Sequence, residues 1–207
     1  MADQETVSER FSDEDATPAR KRPRPGERRL QILQTLASML EQPGAERVTT
    51  ASLAAKIGVS EAALYRHFAS KAQMFEGLID FVDQSVIGLI RQVTDREPAG
   101  PVQASRIVAL LLQFAEKNPG MSRVMIGDAL VLEHERLQER INLLFDKIEA
   151  QLRQSLKTSD SPTPTADAQV ASSLLVAFMQ GRLQRFARSG FKRLPSEHLQ
   201  AALTKML

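Results

Sequence analysis

Tyr65, Arg66, His67 and Lys71 fall within seven residues of one another, behind Thr49, Thr50 and Ser60, in the stretch TTASLAAKIGVSEAALYRHFASK that runs from Thr49 to Lys71. Hydroxyls, a guanidinium, an imidazole and an ammonium set this close together are the donors and cations that hold phosphates and read base edges. They are poorly suited to covalent catalysis. His67, His134 and His198 are scattered, no pair of them has zinc-ligand spacing, and neither GxSxG nor a glycine-rich phosphate loop after a strand occurs. HERLQER, from His134 to Arg140, mixes acids and bases, but at helical spacing such charges pair with each other in water. An enzyme is not expected, nor a cofactor or a metal.

The elements that must position this cluster can be read from their caps and breaks. Pro25 to Gln42 reads as a first helix, with Leu30, Leu33, Leu36, Ala37 and Leu40 on one apolar face, stopped by Pro43 and Gly44. Thr49 or Thr50 caps a second helix, Ala51 to Ile57, and Gly58 supplies the backbone freedom of a tight turn. Ser60 caps a third, from Glu61 to about Phe68, in which the small Ala62 and Ala63 allow close approach to DNA. Val48, Leu53, Ala54, Ile57, Val59, Leu64 and Phe68 give this three-helix unit its core. A helix, a glycine turn and a short second helix read as a helix-turn-helix, its second helix sized for a major groove. Ser70 and Gln73 match a capping box, so a long helix starts at Lys71, whose ammonium and helix amino end both favour phosphate.

Bulk composition agrees with a DNA binder without proving one. The 207 residues are 43% hydrophobic and 25% charged, enough for a sizeable core, and the net charge of +2 is only mildly basic. Cysteine is absent, which removes disulfides, thiolate metal sites and cysteine nucleophiles. No apolar run approaches the roughly 18 residues of a membrane span, and a soluble cytoplasmic protein is expected. Residues 1–24 lack apolar periodicity and are expected to be disordered: Asp3, Glu5, Glu9, Asp13, Glu14 and Asp15 come first, then Arg20, Lys21, Arg22 and Arg24. That basic block is either a solvated linker or an arm for phosphates or a minor groove.

Residues 25–70 thus make a helix-turn-helix domain, and residues 71–207 a larger helical one. The helix from Lys71 to about Thr94 is too apolar for a single surface stripe and must join the two. Further helices are expected from Pro101 to Asn118, from about Ser122 to Leu132, and over about 25 residues carrying Leu137, Ile141, Leu144, Ile148 and Leu152. TSDSPTPT, from Thr158 to Thr165, is expected to be a mobile loop. Asp167 to Arg188 then carries Val170, Ala171, Leu174, Leu175, Phe178 and Leu183 on a face with Ala177 and Gly181, and Pro195 to Leu207 supplies a last helix. Such a pair can form a symmetric dimer seam or pack inside its own subunit. The fold class is all-α.

LYRHFASK, from Leu64 to Lys71, with TTASLAAKIGVSEAA before it, resembles the N-terminal domain of the TetR family of transcriptional regulators. The resemblance implies that Tyr65, His67 and Lys71 hold phosphates, that Thr49 and Thr50 touch backbone and nearby bases, and that Ser60, Glu61, Ala62 and Arg66 lie where bases are read. Arg66 suits either a guanine or a phosphate, and Glu61 must accept from cytosine or turn away. A half-buried aromatic is the alternative for Tyr65, and a helix-terminal residue the alternative for His67. The resemblance also implies a homodimer, joined through the last two long helices, that reads a pseudo-palindromic site in double-stranded DNA.

Four longer segments, ERRLQILQTLASMLE, VSEAALYRHFASKAQMFEGLIDFVDQSV, FAEKNPGMSRVMIGDAL and ERLQERINLLFDKIEAQLRQSL, resemble the nucleoid occlusion branch of that family over both domains. This implies a nucleoid-associated division inhibitor that antagonises assembly of the tubulin-like protein FtsZ, without a small-molecule ligand. The positions matching its partner surface are Phe81, Leu110, Lys117 and Asn118, with Arg91 as an addition. The alternative is a ligand-responsive repressor, with Phe81, Phe114, Phe145 and Phe178 lining an apolar cavity.

Overall fold

A computed structural model describes residues 26–42, 48–157 and 163–207. The tail at residues 1–24, the stop at Pro43 and Gly44, and most of the loop between Thr158 and Thr165 lie outside the described residues. Among those described, helices account for the regular structure and no strand occurs.

Helix α1 (Glu27–Leu40) begins after Gly26, whose φ of 90° suits only glycine comfortably. Its buried stripe is Ile32, Leu36 and Leu40 at four-residue steps, with Leu33 and Ala37 packed beside it and Leu30 left 52% exposed. The expected leucine face is therefore rotated toward Ile32. Helix α2 (Thr50–Ile57) is capped reciprocally. The Thr49 hydroxyl accepts the Ser52 N–H at 3.1 Å, and the Ser52 hydroxyl accepts the Thr49 N–H at 3.1 Å. Gly58, at φ 78°, makes the left-handed turn into α3 (Glu61–Tyr65), where Ser60 Oγ accepts the Ala63 N–H at 3.3 Å. Helix α3 ends at Tyr65, three residues short of expectation. Arg66 and His67 form a turn that lets Phe68, 1% exposed, reach the core shared with Leu53 and Leu64.

Helix α4 (Lys71–Thr94) starts on the Ser70 hydroxyl, which accepts the Gln73 N–H at 3.2 Å. Gln73 Oε1 reaches back to accept the Ala69 N–H at 2.8 Å. Met74, Phe75, Leu78, Ile79, Val82, Val86 and Ile90 are buried on a face wide enough to pack on α1 and on the larger domain together. Helix α5 (Pro101–Lys117) returns beside α4, and α6 (Pro119–Met125) turns under α1. Gly120 sets that approach: a Cβ there would lie 2.1 Å from the Ala37 carbonyl oxygen. A 3-10 turn (Asp128–Leu130) leads to α7 (Glu135–Leu156), which pairs with α8 (Pro164–Arg188) before α9 (Leu199–Met206) closes the chain.

Charged pairs link α4 to α7 and run in the same direction along both. Glu76 pairs with Arg136 at 2.7 Å, Asp80 with Arg140, and Asp83 with Lys147 at 2.7 Å. These groups are partly exposed, so each pair contributes at most about 1 kcal/mol, and their value is in fixing the register of two long helices.

Helix α8 differs from its expected pattern. Leu175 and Leu183 turn inward with Ala168, Val176, Met179 and Phe186, whereas Val170 and Leu174 are 61% and 57% exposed. Val170, Leu174, Ala177 and Gly181 therefore form a second stripe on the outer side, with Leu143 of α7, 57% exposed, as a further uncovered apolar residue. A helix with two apolar faces cannot be satisfied by one subunit's core.

Candidate nucleic-acid interface

The exposed end of the three-helix unit gathers most of the residues singled out in the sequence. Tyr65 is 45% exposed, and Thr49, Ser60, Glu61, Ala62, Arg66 and His67 are exposed as well. The caps explain the placement. Thr49 and Ser60 start α2 and α3, so the amino ends of both helices, with their free N–H groups, come to the same region. Thr50 Oγ1 donates to Glu61 Oε2 at 2.5 Å, tying the start of α2 to the start of α3. The acid thereby has a hydroxyl partner inside the protein.

The turn after α3 is braced from α1. Arg29 Nη1 donates to the His67 carbonyl at 2.9 Å, and its guanidinium lies 4.0 Å from the centroid of the Phe68 ring. Nothing in the sequence marks Arg29 for this part. Its bracing role depends on a contact 38 positions away, which periodicity cannot show.

Lys71 sits at the first position of α4, as expected, but its ammonium has a partner. It pairs with Glu133, in the segment just before α7. Its side chain is 30% exposed, and that of Glu133 only 12%.

The residues assigned to a partner surface separate into two groups. Phe81, 45% exposed, and Asn118 both line a groove of about 260 Å³ between α1 and α4 whose wall also includes Leu30, Leu33, Ala37 and Met121. Asn118 is held there by its Nδ2, which donates to the Phe114 carbonyl at 2.7 Å. Leu110 is half-buried against the core, Lys117 is exposed at the end of α5, and Arg91 is exposed about 15 Å farther along α4 than Phe81. None of these three is in the groove wall. The four phenylalanines of a supposed ligand cavity do not converge in this groove either: Phe81 lines it, Phe114 is half-buried against the core, Phe145 is buried in the core and Phe178 lies under the Arg182 guanidinium at 4.8 Å.

Among the described residues no helix is long and apolar enough to cross a membrane, and no group of three or more His, Asp or Glu could hold a metal ion.

Comparison with known proteins finds two families, each on a different part of the chain. Residues 32–78 match the family described as bacterial regulatory proteins, tetR family, and residues 101–206 match the family described as tetracyclin repressor-like, C-terminal domain. The nucleoid occlusion factor SlmA of Idiomarina loihiensis is 49% identical over 177 residues, covering 84% of this chain and 90% of that protein. SlmA of Shewanella oneidensis is 49% identical over 174 residues, covering 83% and 88%. Among solved structures, a transcriptional regulator from Rhodococcus sp. Rha1 superposes with a TM-score of 0.70 at 20% identity, over 86% of this chain and 92% of that one. FadR from Bacillus subtilis, solved with stearoyl-CoA, gives 0.66 at 12% identity, over 86% and 96%. At such identities these two establish the fold alone. The near-half identity that spans both helical units carries more, and with it the chain belongs to the TetR family, in the branch of the nucleoid occlusion factors SlmA.

Proposed function

We propose that this protein is a nucleoid occlusion factor that binds chromosomal DNA as a homodimer and, from there, antagonises the assembly of FtsZ over the nucleoid. The observation that carries the reading is the 49% identity to SlmA proteins across both helical units, since a shared DNA-binding unit alone would fit any regulator of the family. The DNA-reading unit is α1–α3, and the chain from Lys71 onward forms the dimerisation and partner-binding domain.

In this reading Ala62 and Arg66 face base edges, Thr49, Thr50, Tyr65 and His67 hold backbone, and Lys71 takes a phosphate at the amino end of α4. Glu61 orients Thr50 through their hydrogen bond. The outer stripe of α8 pairs with its symmetry mate, so that two α3 helices face successive major grooves. The groove between α1 and α4 receives FtsZ, with Phe81 as its aromatic anchor and Asn118 as its polar edge. It abuts α1 of the reading unit, so the surface for FtsZ borders the three-helix body that binds DNA. DNA concentrates dimers on neighbouring sites and raises the effective concentration of these grooves.

The test uses purified FtsZ polymers followed by light scattering. DNA-loaded protein is expected to disassemble them, and Tyr65→Ala, defective in DNA binding, is not. Release of the wild-type protein from its own promoter by a small apolar compound, with FtsZ polymers unaffected, would mark a ligand-responsive repressor instead.

A further inference from the structure

Four ion pairs tie α4 to α7 and the segment just before it, and one of them is reversed. In the pairs at Glu76, Asp80 and Asp83 the acid is on α4 and the base on α7. At the DNA-proximal end the base, Lys71, is on α4, and the acid, Glu133, belongs to the chain just before α7. The reversed pair is also the one with the most buried acid: the Glu133 side chain is 12% exposed, against 24%, 51% and 30% for Glu76, Asp80 and Asp83. Lys71 leans over the Phe75 ring, 5.7 Å from its centroid, which keeps its stem along the helix and its ammonium within reach of Glu133.

We infer that Glu133 is an affinity-setting residue for DNA: its carboxylate competes with a backbone phosphate for the Lys71 ammonium, so DNA binding must exchange one anion for the other. The inference rests on the assignment of Lys71 to phosphate made above. Lysine suits such an exchange, being a point charge on a flexible stem, where an arginine fork would hold its carboxylate in two places. The exchange has two consequences. Affinity is lower than the surface donors alone would give, because the ammonium must first leave a carboxylate that is largely shielded from water. The released Glu133 is then a shielded anion without its cation, and the segment that carries it must move toward solvent.

That segment is suited to moving. Glu133 N–H donates to the Leu130 carbonyl at 2.9 Å, and Ala129 and Leu130 are buried, but Val131 and Leu132 between them and Glu133 are 77% and 63% exposed. The segment starts at Gly127, in the left-handed region at φ 81°, and runs directly into the His134 cap of α7. Occupancy of DNA is thereby reported to the first turn of α7, the helix that packs along α8 and its outer stripe.

The experiment is a double-mutant cycle of DNA affinity against salt for wild type, Glu133→Gln, Lys71→Met and the double variant, with melting curves to confirm folding. Glu133→Gln is expected to tighten binding about three- to fivefold at low salt, the upper range for a pair whose lysine still reaches solvent. Lys71→Met is expected to weaken binding and to lower the slope of log affinity against log salt by about 0.9, one phosphate contact. In the Lys71→Met background the gain from Glu133→Gln should vanish. If it persists there, Glu133 acts only as a negative charge near DNA and the exchange is refuted. If Lys71→Met weakens binding but Glu133→Gln changes nothing, the exchange fails while the phosphate assignment stands. If Lys71→Met changes neither affinity nor slope, both fail. As an independent readout, amide exchange over residues 128–135 should accelerate when DNA is added to the wild type, and unchanged exchange there would refute movement of the segment.

Discussion

Replacing Gly120 by alanine tests the joint between the reading unit and the larger domain. The added Cβ would stand 2.1 Å from the Ala37 carbonyl oxygen, 3.0 Å from its carbon and 3.3 Å from Glu41 Cγ. The nearest obstacle is backbone inside α1, which has no rotamer to change. Non-bonded heavy atoms rest at about 3.5–4.0 Å, so α6 and α1 must part by more than about 1 Å. Overpacking of this kind costs about 1–3 kcal/mol, and a backbone clash belongs at the upper end. Alanine returns up to about 1 kcal/mol of helix propensity, leaving a net loss of about 2 kcal/mol. For a chain of this size that lowers Tm by about 4–8 °C, read by circular dichroism at fixed protein concentration because a dimer's Tm depends on it. Gly88→Ala is the matched control. It lies within α4 with nothing within 4 Å of its Cβ position, and it should raise Tm slightly through propensity alone. A Gly120→Ala protein melting at the wild-type temperature would refute the close approach of α6 to α1.

Three further outcomes follow from the same structure. Leu174→Glu, on the outer stripe of α8, should leave the helical spectrum unchanged and convert the dimer to a monomer by light scattering at micromolar concentration; an unaltered dimer mass would move the seam elsewhere. Thr49→Ala removes the hydroxyl that accepts the Ser52 N–H, leaving only the backbone half of the α2 cap, and should cost about 1 kcal/mol, with weaker DNA binding because the amino end of α2 frays. Phe81→Ala should leave DNA affinity as it is and abolish the effect on FtsZ polymers, since its ring lines the groove and is 45% exposed. Loss of DNA binding in that variant would show that the two surfaces are not separate.

What could be read in the sequence was local. Thr49, Ser60 and Ser70 announce helix starts, Gly58 announces the turn, and Val48, Leu53, Leu64 and Phe68 announce the small core, because caps, left-handed turns and helical spacing act over a few residues. Pairings across the fold were not legible. Nothing near Lys71 in sequence indicates Glu133, 62 positions away, and nothing near Arg29 indicates the His67 carbonyl. Helix α8 shows a different limit. Its apolar residues cover more than one face, and spacing alone cannot say that Leu175 turns inward while Leu174 turns outward. Phe81 and Asn118 were named separately, and only the approach of α1 to α4 and α6 makes them walls of one groove.

The shortness of α3 has a consequence for how such a protein finds its place. Five residues make a helix about 7.5 Å long, little more than two base-pair steps. A probe of that length distinguishes few sequences by itself. Its discrimination must come from the distance between two copies, held by a rigid seam, and from phosphates that every duplex offers. A chromosome contains many stretches that meet so modest a demand. A protein whose task is to mark where the chromosome lies can use this, because it needs many addresses of moderate quality.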